Sequence, residues 1–266
     1  MSYAEINGLS MYYEVHGDAP VTPECPALVL LHGGLGGGDM FAPILPGLTA
    51  HRRVITADLQ AHSRTADIDR PIRLETCGDD VAELIRHLGI GPADLVGYSF
   101  GGGAALRCAI QHPDVVRKLV VVSFTFRADG FYDDIRRQQA QMTPESAQFM
   151  KETPMWELYE RTAPRPEDFS VLIGKMGELL RQPFDYAEEI RKIEVPTELV
   201  FADADICSPQ HICDFWALLG GGQRDAGWDG AGRPGKHQLA ILPNTTHYSI
   251  FMAPALMPAI EQFLDA

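Results

Sequence analysis

Basic residues are scarce in this chain: 22 Lys and Arg face 36 Asp and Glu over 266 residues, a formal net charge of −14. A surface that acidic repels phosphate backbones and anionic lipid headgroups, which argues against nucleic acid or membrane as a partner. Cysteine is scarce too. The five thiols, Cys25, Cys77, Cys108, Cys207 and Cys213, are odd in number and widely scattered, in a chain long enough to fold without covalent staples, so they read as free. No stretch approaches the roughly 18 consecutive apolar residues that spanning a bilayer requires, and Met1 to Glu5 lack the basic segment and apolar run of an export signal. These absences predict a cytoplasmic protein that acts on a small molecule, as a monomer or a homodimer.

The residues that are plentiful describe a globular enzyme-sized unit. With 45% hydrophobic and 22% charged residues, the chain can bury a full core. Leu9 to Val15 has strand composition and ends at the turn signal His16-Gly17-Asp18, as an edge strand would. Ala27–Leu31, Arg53–Ala57, Asp94–Gly97 and Lys118–Val122 are short apolar runs, the pattern of strands buried on both faces. Between them lie helical patterns, Gly78 to Leu88 and Gly101 to Gln111. This alternation predicts an α/β fold with a largely parallel, doubly wound sheet. It stops over residues 124–191, where polar helical stretches carry methionines and aromatics, and resumes with a strand at Thr197–Phe201, a helix near Gln210 to Leu219, a strand at Gln238–Leu242 and a closing helix near Pro254 to Leu264. The expected organisation is therefore a core of residues 1–123 and 192–266 interrupted by a helical insertion, 124–191. Residues 220–237 hold seven glycines and Trp228 in a long irregular loop, a length that usually goes with function or mobility.

The strongest chemical signal is Gly97-Tyr98-Ser99-Phe100-Gly101, set between an expected strand and an expected helix. A nucleophile on so sharp a turn has a strained backbone, and side chains two residues either side would strike neighbouring main chain. Ser99 is the candidate nucleophile. A serine hydroxyl needs a base to take its proton. Of nine histidines, His247 follows a strand and the turn Pro243 to Thr246, at the carboxyl end of the sheet where sites form; His237 precedes the same strand and so lies at the opposite end. The orienting acid should fall between nucleophile and base in the chain, which favours Asp205 over Asp203, with Asp129 a more distant alternative. Backbone donors for an oxyanion are expected from Gly34 N–H, or alternatively Leu35 N–H, in the run His32 to Gly38, together with Phe100 N–H. That glycine run lacks the Gly-Lys-Ser/Thr ending of a phosphate loop and has no G-x-G-x-x-G register, so no nucleotide cofactor is expected. Cys207, His211 and Cys213 read as buried thiols and a surface histidine, so no metal is expected.

With Ser99, Asp205 and His247 in this order, the sequence resembles the α/β-hydrolase superfamily over essentially its whole length. The His32-Gly33-Gly34 loop, the elbow at Gly97 to Gly101 and the late Asn244-Thr245-Thr246-His247 segment carry the resemblance. The segment Asp58 to Thr65 matches the family's D-x-x-G-x-G-x-S imperfectly, with Ala61 and Ser63 replacing both glycines, a change expected to touch loop shape and not the triad. What the resemblance implies is an inserted helical cap over the catalytic loops and esterase-like or lactonase-like chemistry without a cofactor. Leu35, Met142, Met150 and Trp156 are the candidate substrate contacts. Acyl transfer to an acceptor other than water, or ligand reception without turnover, are the alternative readings of the same fold.

Overall fold

The computed structural model describes residues 2–232 and 235–266. A single eight-stranded sheet forms its centre. The chain enters through β1 (Ser2–Ile6) and β2 (Leu9–His16), continues with β3 (Leu28–Leu31), helix α1 (Leu45–Thr49), β4 (Val54–Ala57), α2 (Leu74–Leu88), β5 (Ala93–Tyr98), α3 (Phe100–Gln111) and β6 (Val116–Val122). Four helices follow: α4 (Asp133–Ala140), α5 (Pro154–Thr162), α6 (Phe169–Arg181) and α7 (Ala187–Ile190). The sheet is then completed by β7 (Thr197–Ala204), α8 (Pro209–Leu218), β8 (Gln238–Thr246) and α9 (Leu256–Asp265). In space the strand order is β1-β2-β4-β3-β5-β6-β7-β8, parallel from β4 to β8 and antiparallel where β2 meets β1 and β4.

The central strands are unbroken apolar runs because both sheet faces are covered. Side chains alternate faces along a strand. Val29, Leu31, Leu95, Leu119 and Leu199 pack on the face that carries α2, α3 and α8, while Leu28, Leu30, Val96, Val120 and Val200 pack on the face that carries α1 and α9. Helices α2 and α3 meet closely at Gly78, where a methyl group would lie 2.7 Å from the Cys108 nitrogen. Residues 123–196, between β6 and β7, contribute no strand to the sheet among the described residues; a single bridge between Arg127 and Asp185 ties the two ends of this helical segment together.

Four expectations need correction. Leu9 to Val15 is not the sheet edge, since β2 has neighbours on both sides and β1 is the edge. The signal for β1 was present: Asn7 (φ 49°) and Gly8 (φ 85°) form the two-residue turn between Ile6 and Leu9, and Asn-Gly is the pair that adopts the two left-handed conformations a tight hairpin requires. Helix α2 starts at Leu74, a turn before Gly78, because the apolar stripe continues through Leu74. Strand β8 runs on to Thr246, through the residues expected as a turn, and α9 begins at Leu256 after a short 3-10 turn at Ile250–Met252. The glycine-rich loop leads from α8 to the first residue of β8, so it lies at the amino end of the parallel strands, away from the candidate site, and its Trp228 is fully exposed.

Candidate active site

Ser99 stands alone between the last residue of β5 and the first of α3, with φ 51° and ψ −119°. A non-glycine residue in that region costs on the order of 1–3 kcal/mol and survives only where its surroundings hold it. Here the Ser99 N–H donates to Val122 O at 2.9 Å and its carbonyl accepts from Gly103 N–H at 3.0 Å. Both flanking glycines are obligatory. A Cβ on Gly97 would lie 2.2 Å from Gly101 O, and one on Gly101 would lie 2.3 Å from Leu31 O.

His247 follows β8 and is buried at 5% exposure. Its carbonyl accepts from the buried Tyr98 hydroxyl at 2.8 Å, and its ring tilts against the Tyr98 ring with centroids 5.1 Å apart. Tyr98, beside Ser99, thus fixes the loop that bears the histidine. Its Nδ1 lies 3.0 Å from Asp205 Oδ1, which places the proton on Nδ1 and leaves Nε2 free to accept from Ser99 Oγ at 3.2 Å. Asp205 in turn accepts from Ile206 N–H at 2.8 Å, Ala202 N–H at 3.0 Å and Ser123 Oγ–H at 2.6 Å. Burial works to raise the Asp205 pKa, but hydrogen bonds from His247, Ser123 and the Ala202 N–H outweigh it and hold the carboxyl below its ordinary value. The arrangement is a base of fixed tautomer with a buried carboxylate behind it.

The alternatives for acid and base lie elsewhere. Asp203 accepts from the N–H groups of Asn244 (2.8 Å) and Thr245 (2.9 Å), bonds that carry β8 past the register shift in β7 and aim the loop that ends in His247. Asp129 pairs with Arg127 on the surface. His237 Nδ1 accepts from Thr197 N–H at the opposite end of the sheet. Ser123, by contrast, is a site residue that the sequence reading passed over. It directly follows β6 with φ 53°, and the only hint was a small polar residue at the carboxyl end of an apolar strand beside the nucleophile's own.

Two loops meet beside Ser99, where the backbone donors for an oxyanion are expected. Phe100 N–H is the first of α3 and has no acceptor within the helix. A Cβ on Gly34 would lie 3.8 Å from Phe100 Cβ, so the Gly34 backbone faces the start of that helix, and Leu35 follows at φ 61°. The buried His32 anchors this loop: its Nδ1–H donates to Gly33 O at 2.8 Å while Nε2 accepts from Leu59 N–H at 3.0 Å. Burial lowers the His32 pKa and keeps it in the neutral form that these two bonds require. Asp58 joins the same two segments by accepting from Gly38 N–H (2.7 Å) and Arg64 N–H (3.1 Å). Ala61 and Ser63, where the resemblance calls for glycine, still adopt left-handed backbone at φ 65° and 46°, so the loop keeps its shape despite the substitutions.

Ser99 and His247 open on a cavity of about 1020 Å³. Leu35, Met142 and Met150 line it, as do Met155, Met176 and Ser123. Trp156 is turned away; its ring packs edge-on against Phe169 with centroids 5.1 Å apart. The Cys207, His211 and Cys213 grouping does not converge: His211 is buried against the Phe126 ring and accepts from Phe126 N–H, whereas Cys213 is exposed. Among the described residues no three His, Cys, Asp or Glu side chains are placed to hold a metal ion, and no helix is long and apolar enough to cross a membrane.

A family profile described as alpha/beta hydrolase fold matches residues 26–216. The chain belongs to the α/β-hydrolase family. As an α/β-hydrolase it is similar to a protein of Caulobacter sp. strain K31 named "Putative carbamate hydrolase RutD", at 37% identity over 131 residues. That match covers 48% of this chain and 47% of the relative, so the chain spans about half the length of such relatives. A protein of the same name from Azorhizobium caulinodans is 28% identical over 239 residues, covering 82% of this chain and 85% of its own length. Among solved structures, an enol-lactonase from Burkholderia xenovorans LB400 superposes with a TM-score of 0.75 at 20% identity, covering 99% of this chain and all of that one. A hydrolase from Pseudomonas aeruginosa PA01 superposes with a TM-score of 0.71 at 24% identity, over 100% of this chain and 98% of that one. These two structures share the fold, and the family profile places the chain among the α/β-hydrolases.

Proposed function

We propose that this α/β-hydrolase cleaves a carboxylic ester or lactone through an acyl-enzyme formed on Ser99. The observation that carries the reading is the continuous line Ser99 Oγ, His247 Nε2, His247 Nδ1, Asp205 Oδ1, at 3.2 and 3.0 Å, on a strained turn open to the cavity. Ser99 Oγ attacks the carbonyl carbon as its proton passes to His247 Nε2, and the resulting oxyanion takes hydrogen bonds from Gly34 N–H and Phe100 N–H. Collapse breaks the ester bond, and the leaving alkoxide recovers the proton from His247. Water then attacks the acyl-enzyme with His247 as base, releasing the acid and restoring Ser99. Asp205 holds the imidazole tautomer and offsets its charge when protonated. Residues 124–191 act as the cap, with Leu35, Met142 and Met150 against the acyl or ring part of the substrate.

The test is labelling of the pure protein with a fluorophosphonate, with peptide mass mapping, beside a screen of p-nitrophenyl esters and lactones of graded size. Labelling of Ser99 and turnover of esters, both lost in Ser99→Ala, support the proposal. Ester hydrolysis that survives in a pure Ser99→Ala preparation overturns it. A carbamate, the bond class in the printed name of the relatives, is the second reading, because its carbonyl is open to the same attack; faster turnover of a carbamate than of its matched ester would favour it.

A further inference from the structure

The catalytic cavity carries a charge opposite to that of the molecule. The chain's net charge is −14, yet the charged side chains lining the cavity beside the catalytic histidine are Arg73, Arg136, Arg137 and Arg181 against Glu75 and Asp133. Among the described residues eleven of sixteen arginines pair with a carboxylate. Among the described residues only Arg53, Arg73, Arg137, Arg181 and Arg224 form no ion pair, and three of these five line this one cavity.

The two acids present are already engaged. Glu75 accepts from Tyr186 Oη at 3.0 Å and lies 3.8 Å from Arg107, and Asp133 faces Arg136 at 3.3 Å across one turn of α4. Arg181 is held in place by donating to Met142 O at 2.8 Å, and Arg73 by donating to Ile72 O at 2.9 Å; each keeps further N–H groups to offer. Arg137 bonds to no carboxylate at all. Helix α4, which carries it, buries none of its side chains, yet most of its residues face the cavity. The rest of the lining includes an apolar, methionine-rich set, Leu35, Phe100, Met142, Met150 and Met176, and Met176 reaches Gly34 beside Ser99. A cavity that joins apolar side chains to guanidinium groups without carboxylate partners, two of them (Arg137 and Arg181) exposed, fits a substrate with an apolar body and an anionic end.

We infer that the cavity takes an ester or lactone that bears a carboxylate on the acyl side, with Arg137 as the principal anion contact and Arg73 and Arg181 beside it. The inference rests on the ester-cleaving reading above and names the substrate class of the same site. A planar fork of donors pairs with a carboxylate in two parallel hydrogen bonds, and the partly closed cavity screens such a pair less than open water does.

The test compares p-nitrophenyl hexanoate with the mono-p-nitrophenyl ester of adipic acid, which differ only in the terminal carboxylate. At low ionic strength the half-ester is expected to have at least a tenfold higher kcat/KM. That preference should shrink severalfold in 0.5 M NaCl and in Arg137→Gln, and Arg137→Glu should turn it in favour of the neutral ester. Circular dichroism melting checks that both variants fold; if Arg137→Glu does not, the salt series and Arg137→Gln carry the test. Equal kcat/KM for the two esters in the wild-type protein, with Ser99 labelled by fluorophosphonate, overturns the anion site and leaves the hydrolase reading standing. No turnover of either ester together with an unlabelled Ser99 overturns both.

Discussion

Ser123 offers the sharpest test of how the site works, because it touches the acid and not the reacting atoms. Asp205 accepts four hydrogen bonds, two on each carboxylate oxygen, and the Ser123 hydroxyl at 2.6 Å supplies one of the two on Oδ2. Ser123 is 3% exposed, so no bulk water stands ready to replace the lost donor in Ser123→Ala. A hydrogen bond to a charged group contributes about 1.5–3 kcal/mol. Part of that loss appears as lower stability and part as poorer alignment of His247. If roughly half reaches the transition state, kcat/KM falls about three- to tenfold at pH 8, since about 1.4 kcal/mol is a factor of ten. The Ser123 bond also helps hold the Asp205 pKa below its ordinary value, so its removal moves that pKa upward. The assay is kcat/KM at pH 8 with a p-nitrophenyl ester for the wild type, Ser123→Ala and Ser123→Gly, beside their denaturant melts. The glycine variant also lacks the hydroxyl but adopts φ 53° without strain. Both variants should show the loss. An unchanged kcat/KM in Ser123→Ala would refute the hydrogen-bond argument, and a defect in Ser123→Ala that Ser123→Gly lacks would assign the effect to backbone strain at φ 53°.

Two further outcomes follow from packing and burial. In Gly97→Ala the new methyl lands 2.2 Å from Gly101 O, which forces β5 and α3 apart; a stability loss of roughly 3 kcal/mol or more and loss of Ser99 labelling are expected, read by denaturant melting and a fluorophosphonate probe. Glu198, buried on β7 with no hydrogen-bond partner for Oε2 among the described residues, has its pKa raised by burial to about 8. A carboxyl whose folded pKa is raised stabilises the fold below its unfolded value, and that contribution is lost as pH rises through about 8. Glu198→Gln should therefore match the wild type near pH 4 and exceed it at pH 8 and above, by up to about 4 kcal/mol in urea melts. Equal stabilities at both pH values would show that Glu198 ionises freely.

Much of the fold was legible from local pattern. The runs Leu28–Leu31, Val54–Ala57 and Val116–Val122 announced strands covered on both faces, and Gly97 and Gly101 announced the turn, because a glycine forced by a steric contact leaves its mark at a fixed spacing. What escaped were boundaries and neighbours. Strand β1 was hidden in a polar segment whose partner is its own hairpin mate. Strand β8 passes through Pro243 and Asn244, which read as a turn, because Asp203 supplies acceptors for two N–H groups there.

The amino-acid sequence by itself determined the parallel sheet, the placing of Ser99 between strand and helix, and the loop that bears His247, since each depends on residues close together in the chain. Only the tertiary structure separates Asp203 from Asp205, two positions apart at the end of one strand: the first accepts from the β8 main chain and the second lies against His247. It alone brought Ser123 to the acid, turned Trp156 against Phe169, carried the Trp228 loop to the far end of the sheet and gathered unpaired arginines around the catalytic cavity. Those outcomes depend on which strands lie side by side and on which helices fold over them. Contacts between residues scores of positions apart leave no period or motif in the sequence to read.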